Sequence, residues 1–296
     1  MMKPLLVSAL FQSHPRSFQA NRYVYPVLSR RAQGISIGLN LNPDKACNFG
    51  CVYCQVSRVE PGEKETPFVD LARLSEELDQ TIDLVVSGRV FETAQFRDTP
   101  GPFRRLNDLA MSGDGEPTTY SNFGEVVTLC AEARQRHGLS DVKIVLITNA
   151  SMFHRQRVRQ ALQVLDANNG EVWAKLDAGT EPYYRTVARS GIPFSRILAN
   201  LQEAARARPI VIQSLFMRLH GNPPSADEQA AYCDRLNEIT AAGGRIKLVQ
   251  IHTVARPPAE NWVASLSNEE VDAIVGLVRE RTGLLTAGFY GFSTTA

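Results

Sequence analysis

The sequence predicts an α/β fold with a parallel sheet, and three observations carry that prediction. Short runs rich in β-branched and apolar residues alternate about six times with longer helix-like segments. Most of the short runs are apolar without alternation, the pattern of strands covered on both faces. Each intervening segment is long enough for a crossover helix, which returns the chain to the same edge and makes the next strand parallel. A closed or partly closed βα barrel and an open doubly wound sheet both fit.

The elements follow in order. Strands are predicted over 35–41, 107–111, 143–148, 172–176, 210–218 and 247–254. Helices are predicted over 69–85, 123–137, 155–165, 194–207, 227–242 and 268–281. Ser121 and Ser267 are expected N-caps, Ser267 with Glu270 three residues on as a capping box. Gly138 and Gly243 with Gly244 are expected stops, and Pro193 and Pro209 punctuate the connections. Residues 23–28 and 35–41 have the composition of buried chain.

Composition narrows the function classes. The chain has 296 residues, of which 44% are hydrophobic and 21% charged, a globular balance that excludes a wholly disordered chain or a small disulfide scaffold. No apolar run reaches the ~18 residues of a membrane span. Lys and Arg number 32 against 31 Asp and Glu, so bulk charge does not indicate a nucleic-acid binder. The five cysteines, an odd number, suit a reducing compartment, and the expected location is cytoplasmic. Residues 1–43 lack Asp and Glu but hold Lys3, Arg16, Arg22, Arg30 and Arg31, and are read as an extension packed on the domain rather than a transit peptide.

In either α/β fold the reactive groups lie just after the strands. Two of those segments stand out. The first carries Cys47, Cys51 and Cys54 in a C-x3-C-x2-C spacing. Three thiolates on one loop fit three readings: buried structural cysteines, zinc completed from elsewhere, or an iron–sulfur cluster with one iron left open to a small molecule. The second is the turn Ser112-Gly113-Asp114-Gly115-Glu116-Pro117-Thr118. Cys130 and Cys233 stand alone in helical stretches and are expected in the core.

C-x3-C-x2-C with an aromatic, here Tyr53, before the third cysteine resembles the signature of the radical S-adenosylmethionine (SAM) superfamily. That resemblance implies a partial (β/α)6 barrel over 34–256, with an N-terminal extension over 1–33 and a C-terminal helix and tail over 257–296. It implies one 4Fe–4S cluster on Cys47, Cys51 and Cys54, SAM chelated to the open iron, and reductive cleavage to a 5′-deoxyadenosyl radical that abstracts a substrate hydrogen. It also implies an external electron donor of flavodoxin or ferredoxin type. The turn resembles the family's Gly-Gly-Glu motif, so Gly113, Asp114, Gly115 and Glu116 are expected to hold the SAM amino group, with Asp114 replacing the first glycine of the common form. Tyr53, Asn149, Asp177 and Gln213 are the remaining expected cofactor contacts.

Gly-Glu-Pro-Thr, Ile147-Thr148-Asn149, Leu176-Asp177 and the run from Gln250 to Glu260 resemble a group of wyosine-type, tRNA-modifying radical SAM proteins. Members of that branch carry a second cluster on upstream cysteines, and no cysteine precedes Cys47 here. RNA is one candidate substrate, since Arg16, Arg22, Arg30 and Arg31 interleave with Phe18, Tyr23 and Tyr25. An activating enzyme for a protein partner and a non-catalytic iron–sulfur or zinc protein are the alternatives. His220, Arg218 and His252 are candidates for tuning a substrate radical, without an assigned role.

Overall fold

The computed structural model describes residues 16, 18–29, 32–56 and 67–291. The chain forms two compact units, one of Met1–Ala46, Pro61–Ile147 and Arg155–Glu171, the other of Cys47–Glu60, Thr148–His154 and Val172–Ala296. Among the described residues no helix is long and apolar enough to cross a membrane.

The first unit holds strands β1 (Val24–Ser29), β2 (Gly34–Leu39), β3 (Leu106–Met111) and β4 (Lys143–Thr148). Strand β1 runs antiparallel to β2, whereas β2, β3 and β4 are parallel. Helices α1 (Leu71–Val86), α2 (Phe123–Arg136) and α3 (Gln156–Asp166) supply the crossovers. Every residue of β2 is buried, as its unbroken apolar reading requires. Asp70 caps α1, accepting from the Arg73 N–H. The buried Glu77 on α1 accepts the backbone N–H groups of Arg22, Tyr23 and Val24, which fixes the entry to β1.

The second unit holds β5 (Gly170–Lys175) from Val172 onward, α4 (Glu181–Ala188), α5 (Phe194–Ala207), β6 (Ile210–Leu215), α6 (Ala226–Ala241), β8 (Ile246–His252), α7 (Asn268–Thr282) and β10 (Thr286–Phe289). Strands β5, β6, β8 and β10 are parallel in that order. Two short strands, β7 (Arg218–Leu219) and β9 (Val263–Ala264), pair antiparallel outside that sheet. The capping box at Ser267 and Glu270 is formed, and α7 ends on Gly283 at φ +69°. Gly138 and Gly243 also take the left-handed conformation expected of helix stops.

The predicted strands and helices are found with ends moved by a few residues, and four differences have identifiable causes. Residues 23–28, expected only as buried chain, supply β1 because Glu77 and the edge of β2 complete its hydrogen bonds. The strand predicted over 210–218 stops at Leu215, where the Phe216 N–H makes the last ladder bond to the His252 carbonyl, and Arg218 and Leu219 pair instead with β9. Asn122, not Ser121, occupies the N-cap of α2, and it makes no side-chain cap there. Its amide is drawn instead into two hydrogen bonds with the Val69 backbone. Helix α4, absent from the prediction, starts with Pro182 in its first turn under a Thr180 cap, so a local turn signal was a helix start.

Candidate functional site

Cys47, Cys51 and Cys54 are in no disulfide and are half-buried in the second unit. Their neighbours fix the loop. The Asn48 amide donates to Ser151 Oγ at 2.8 Å and accepts from Asn149 Nδ2 at 2.8 Å. Ser190 Oγ donates to the Asn48 carbonyl. The Gly50 and Val52 N–H groups donate, each at 3.0 Å, to the carbonyls of Ala188 and Val187 at the end of α4. Val52 is fully buried, and Phe49 meets Tyr184 edge-on at 6.1 Å. The residues between the cysteines therefore spend their polar groups on the scaffold.

Tyr53 is buried, and its hydroxyl donates to Asp177 Oδ2. The Leu215 N–H donates to the other oxygen of Asp177 at 2.8 Å. Lys175 Nζ lies 5.5 Å from the centre of the Tyr53 ring. Burial pushes the Cys51 thiol up to about 12, with Lys175 pulling the other way. Burial disfavours the Lys175 ammonium, but Asp177 and the three cysteines outweigh it and raise its pKa. Asp177 is raised by burial against the opposing pull of Lys175, Tyr53 and Leu215. A cation is thus held beside three sulfurs that need positive charge to ionise.

Among the described residues no three His, Cys, Asp or Glu side chains converge on a single metal ion. A cluster takes each cysteine on a different iron and does not ask for one point of convergence. Three soft donors outside any disulfide, on a fixed loop with a lysine charge beside them, fit a three-cysteine iron–sulfur cluster.

The turn lies in the first unit. Gly113 and Gly115 are glycines for space, not for φ, since neither has a positive φ. A Cβ on Gly113 would meet Asn40 Oδ1 at 2.2 Å, and one on Gly115 the Ala46 carbonyl oxygen at 1.9 Å. Gly115 is therefore pressed against Ala46. Asp114 needs no unusual backbone either. Its N–H donates to Asn40 Oδ1 at 2.9 Å, and its carboxylate accepts from Asn40 Nδ2 at 2.8 Å and from Arg16. Buried Glu116 accepts from the N–H and hydroxyl of Thr118, capping the short turn Pro117–Thr119. Tyr25 donates to the Ser112 carbonyl at 2.8 Å.

The expected residues thus fall into two groups. Cys47, Cys51, Cys54, Tyr53, Asn149 and Asp177 share the hydrogen-bonded surroundings of the cysteine loop, and residues 113–116 form the turn. Gln213 pairs in register with Lys175, its side-chain amide bonds Gln250, and its backbone carbonyl accepts the Leu176 N–H. Cys130 and Cys233 are fully buried in helices, as expected. Asn40 and Asn48 are neighbours of the candidate residues that sequence reasoning did not single out. Their only signal was a run of asparagines at a strand end, which ordinary turns also show.

Comparison with known proteins decides the family. The Radical SAM superfamily model matches residues 41–223. The chain belongs to the radical SAM superfamily. Membership implies a 4Fe–4S cluster and SAM as cofactors, and members of the superfamily are enzymes. The chain is 25% identical over 237 residues to a UPF0026 protein of Helicobacter pylori, covering 78% of this chain and 66% of that one. It is 24% identical to a UPF0026 protein of Methanocaldococcus jannaschii, covering 87% and 71%. A Brachyspira hyodysenteriae protein named GTPase Obg is 25% identical over 91% of this chain but only 35% of its own length. This radical SAM chain therefore spans less than two thirds of the H. pylori and B. hyodysenteriae relatives. Among solved structures, TYW1 with a lysine–pyruvate adduct bound aligns with TM-score 0.56 at 13% identity, covering 95% of this chain and 90% of that one. Streptococcus suis SuiB bound to SAM aligns with TM-score 0.54 at 11% identity, covering 88% and 52%. These likenesses show the α/β radical SAM fold.

Proposed function

We propose that this radical SAM protein cleaves SAM reductively and uses the resulting radical on an organic substrate, with Cys47, Cys51 and Cys54 as the cluster ligands. The observation that carries the reading is the cysteine loop: three half-buried thiols, none in a disulfide, on a segment fixed by its other residues. When bound, the cluster supplies the electron that breaks the C5′–S bond of SAM and so yields the hydrogen-abstracting 5′-deoxyadenosyl radical.

The chain's own residues bind, orient and balance charge. Lys175 offsets the negative charge of three thiolates in a half-buried setting. Asp177 holds the Tyr53 hydroxyl and the Leu215 N–H, and so fixes Tyr53 next to Cys54. Asn48 and Asn149 keep the loop in register. Residues 113–116 take the ammonium end of SAM through the backbone oxygens of a turn whose glycines let it pack closely on Asn40 and Ala46. Asp114, held by Asn40 and Arg16, positions that turn. An external flavodoxin- or ferredoxin-like protein supplies electrons.

The test is anaerobic reconstitution with iron and sulfide, then dithionite and SAM, assayed for 5′-deoxyadenosine. Formation that depends on all three cysteines supports the reading. Full activity in Cys51→Ala overturns it, as does zinc in place of iron in protein prepared without oxygen.

A further inference from the structure

The sheet of the second unit carries, beside Lys175, a pair of glutamines to which the proposed SAM site gives no role. Register aligns Lys175 of β5 with Gln213 of β6, Gln213 with Gln250 of β8, and Gln250 with Ala287 of β10. One layer along, Leu215, His252 and Phe289 align. Ser214, between Gln213 and Leu215, points to the opposite face and bonds the Tyr232 hydroxyl of α6 at 2.6 Å. The helices thus cover the Ser214 face, and the glutamine row lies on the other.

Gln213 and Gln250 are 8% and 3% exposed, which makes their hydrogen bonding a strict account. Gln213 Nε2 donates to Gln250 Oε1 at 3.2 Å, and His252 Nε2 lies 3.3 Å from the same oxygen. Gln213 Oε1 and Gln250 Nε2 have no hydrogen-bond partner among the described residues, and neither atom is sealed from solvent. Turning both amides over exchanges the two roles but again leaves one donor and one acceptor. His252 stacks on Phe289 with centroids 4.6 Å apart and planes 8° apart.

We propose that this row is a substrate subsite that reads the lactam edge of a flat heterocycle, an adjacent C=O and ring N–H as in an oxo-nucleobase. The inference rests on the radical-enzyme reading in that the ligand is its substrate. A backbone peptide does not match the pair, because a trans amide sends its oxygen and hydrogen in opposite directions. A lactam ring is locked cis and presents both on one edge. The stacked His252–Phe289 pair, about 7 Å further along the strands, adds a flat surface suited to a ring. The ring nitrogen must carry its hydrogen, since methylation removes the donor that Gln213 Oε1 requires. Register sets Gln213 between Lys175 and Gln250, and in this subsite its amide acts together with that of Gln250.

Equilibrium dialysis tests it on the full, anaerobically reconstituted chain with SAM present. The probes are inosine and uridine, their N1- and N3-methyl derivatives, and N-acetylglutamine amide. The proposal expects saturable binding of a lactam probe and about tenfold or weaker binding of its methylated form, the loss of one hydrogen bond. Gln250→Met is expected to abolish that discrimination, which a merely structural role for Gln250 does not predict. Equal binding of methylated and unmethylated probes, absence of saturable binding, or unchanged discrimination in Gln250→Met overturns the proposal. Tighter binding of N-acetylglutamine amide than of either lactam also overturns it, in favour of a peptide carboxamide. 5′-Deoxyadenosine is measured on the same samples. Its absence with discrimination intact sinks the radical-enzyme reading alone, and its formation without discrimination sinks the subsite alone.

Discussion

At the scale of single residues, the cysteines divide by their surroundings. Cys47, Cys51 and Cys54 sit half-buried on a loop whose other residues pin it, while Cys130 and Cys233 are packed in helices. Replacing any of the first three by Ala is expected to bring iron content after reconstitution to background. Cys130→Ala and Cys233→Ala are expected to keep iron and lose about 1–2 kcal/mol in denaturant titrations, the loss of a buried sulfur. Gly115→Ala places a methyl group where the Ala46 oxygen sits, so the turn must shift. Its affinity for SAM, measured by dialysis, is expected to fall by about an order of magnitude or more. Asp79 shows how a surface charge ties to pH. Burial opposes its ionisation, but His137 and Arg136 outweigh that and lower its pKa below 3.8. Its stabilisation is therefore present above that value and lost as pH falls through the lower folded one. Asp79→Asn is expected to cost at most about 0.5–1 kcal/mol near neutral pH, the range of a screened surface pair. The cost should vanish in acid, and urea titrations at both pH values check it. The cysteine spacing and the glycines were legible in the sequence. Asn40 and Asn48 were not, because each works through partners far along the chain.

At the scale of elements, local signals were reliable where the chain completes its own hydrogen bonds. The capping box of α7 is such a case. Ser267→Ala is expected to lower stability by about 1 kcal/mol, read as a shift in the denaturation midpoint. Local signals failed where a distant group takes over. Asn122 leaves its cap to bond Val69, and β1 depends on Glu77, which accepts three backbone N–H groups of the entering chain. Glu77→Ala strands those donors in the interior, at a cost of about 2–4 kcal/mol. Faster amide exchange at Tyr23 and Val24 is its expected mark.

At the scale of the molecule, the alternation of strands and helices and the C-x3-C-x2-C motif were enough to determine the fold class and the family. Both are short-range properties: apolar runs of strand length declare two covered faces, and three cysteines within eight residues declare shared chemistry whatever surrounds them. The Gly-Asp-Gly-Glu-Pro turn belongs with these, since a strand end and its glycines lie within one stretch of chain. Only the tertiary structure decided which polar residues meet. Parallel strands are paired across long crossovers, so the register that sets Gln213 beside Gln250, or His252 beside Phe289, is fixed by helix packing on the far face and not by local sequence. The same holds for Asn40 under Gly113 and for Asp177 against Tyr53, where the partners lie dozens of residues apart and no spacing in the chain announces them.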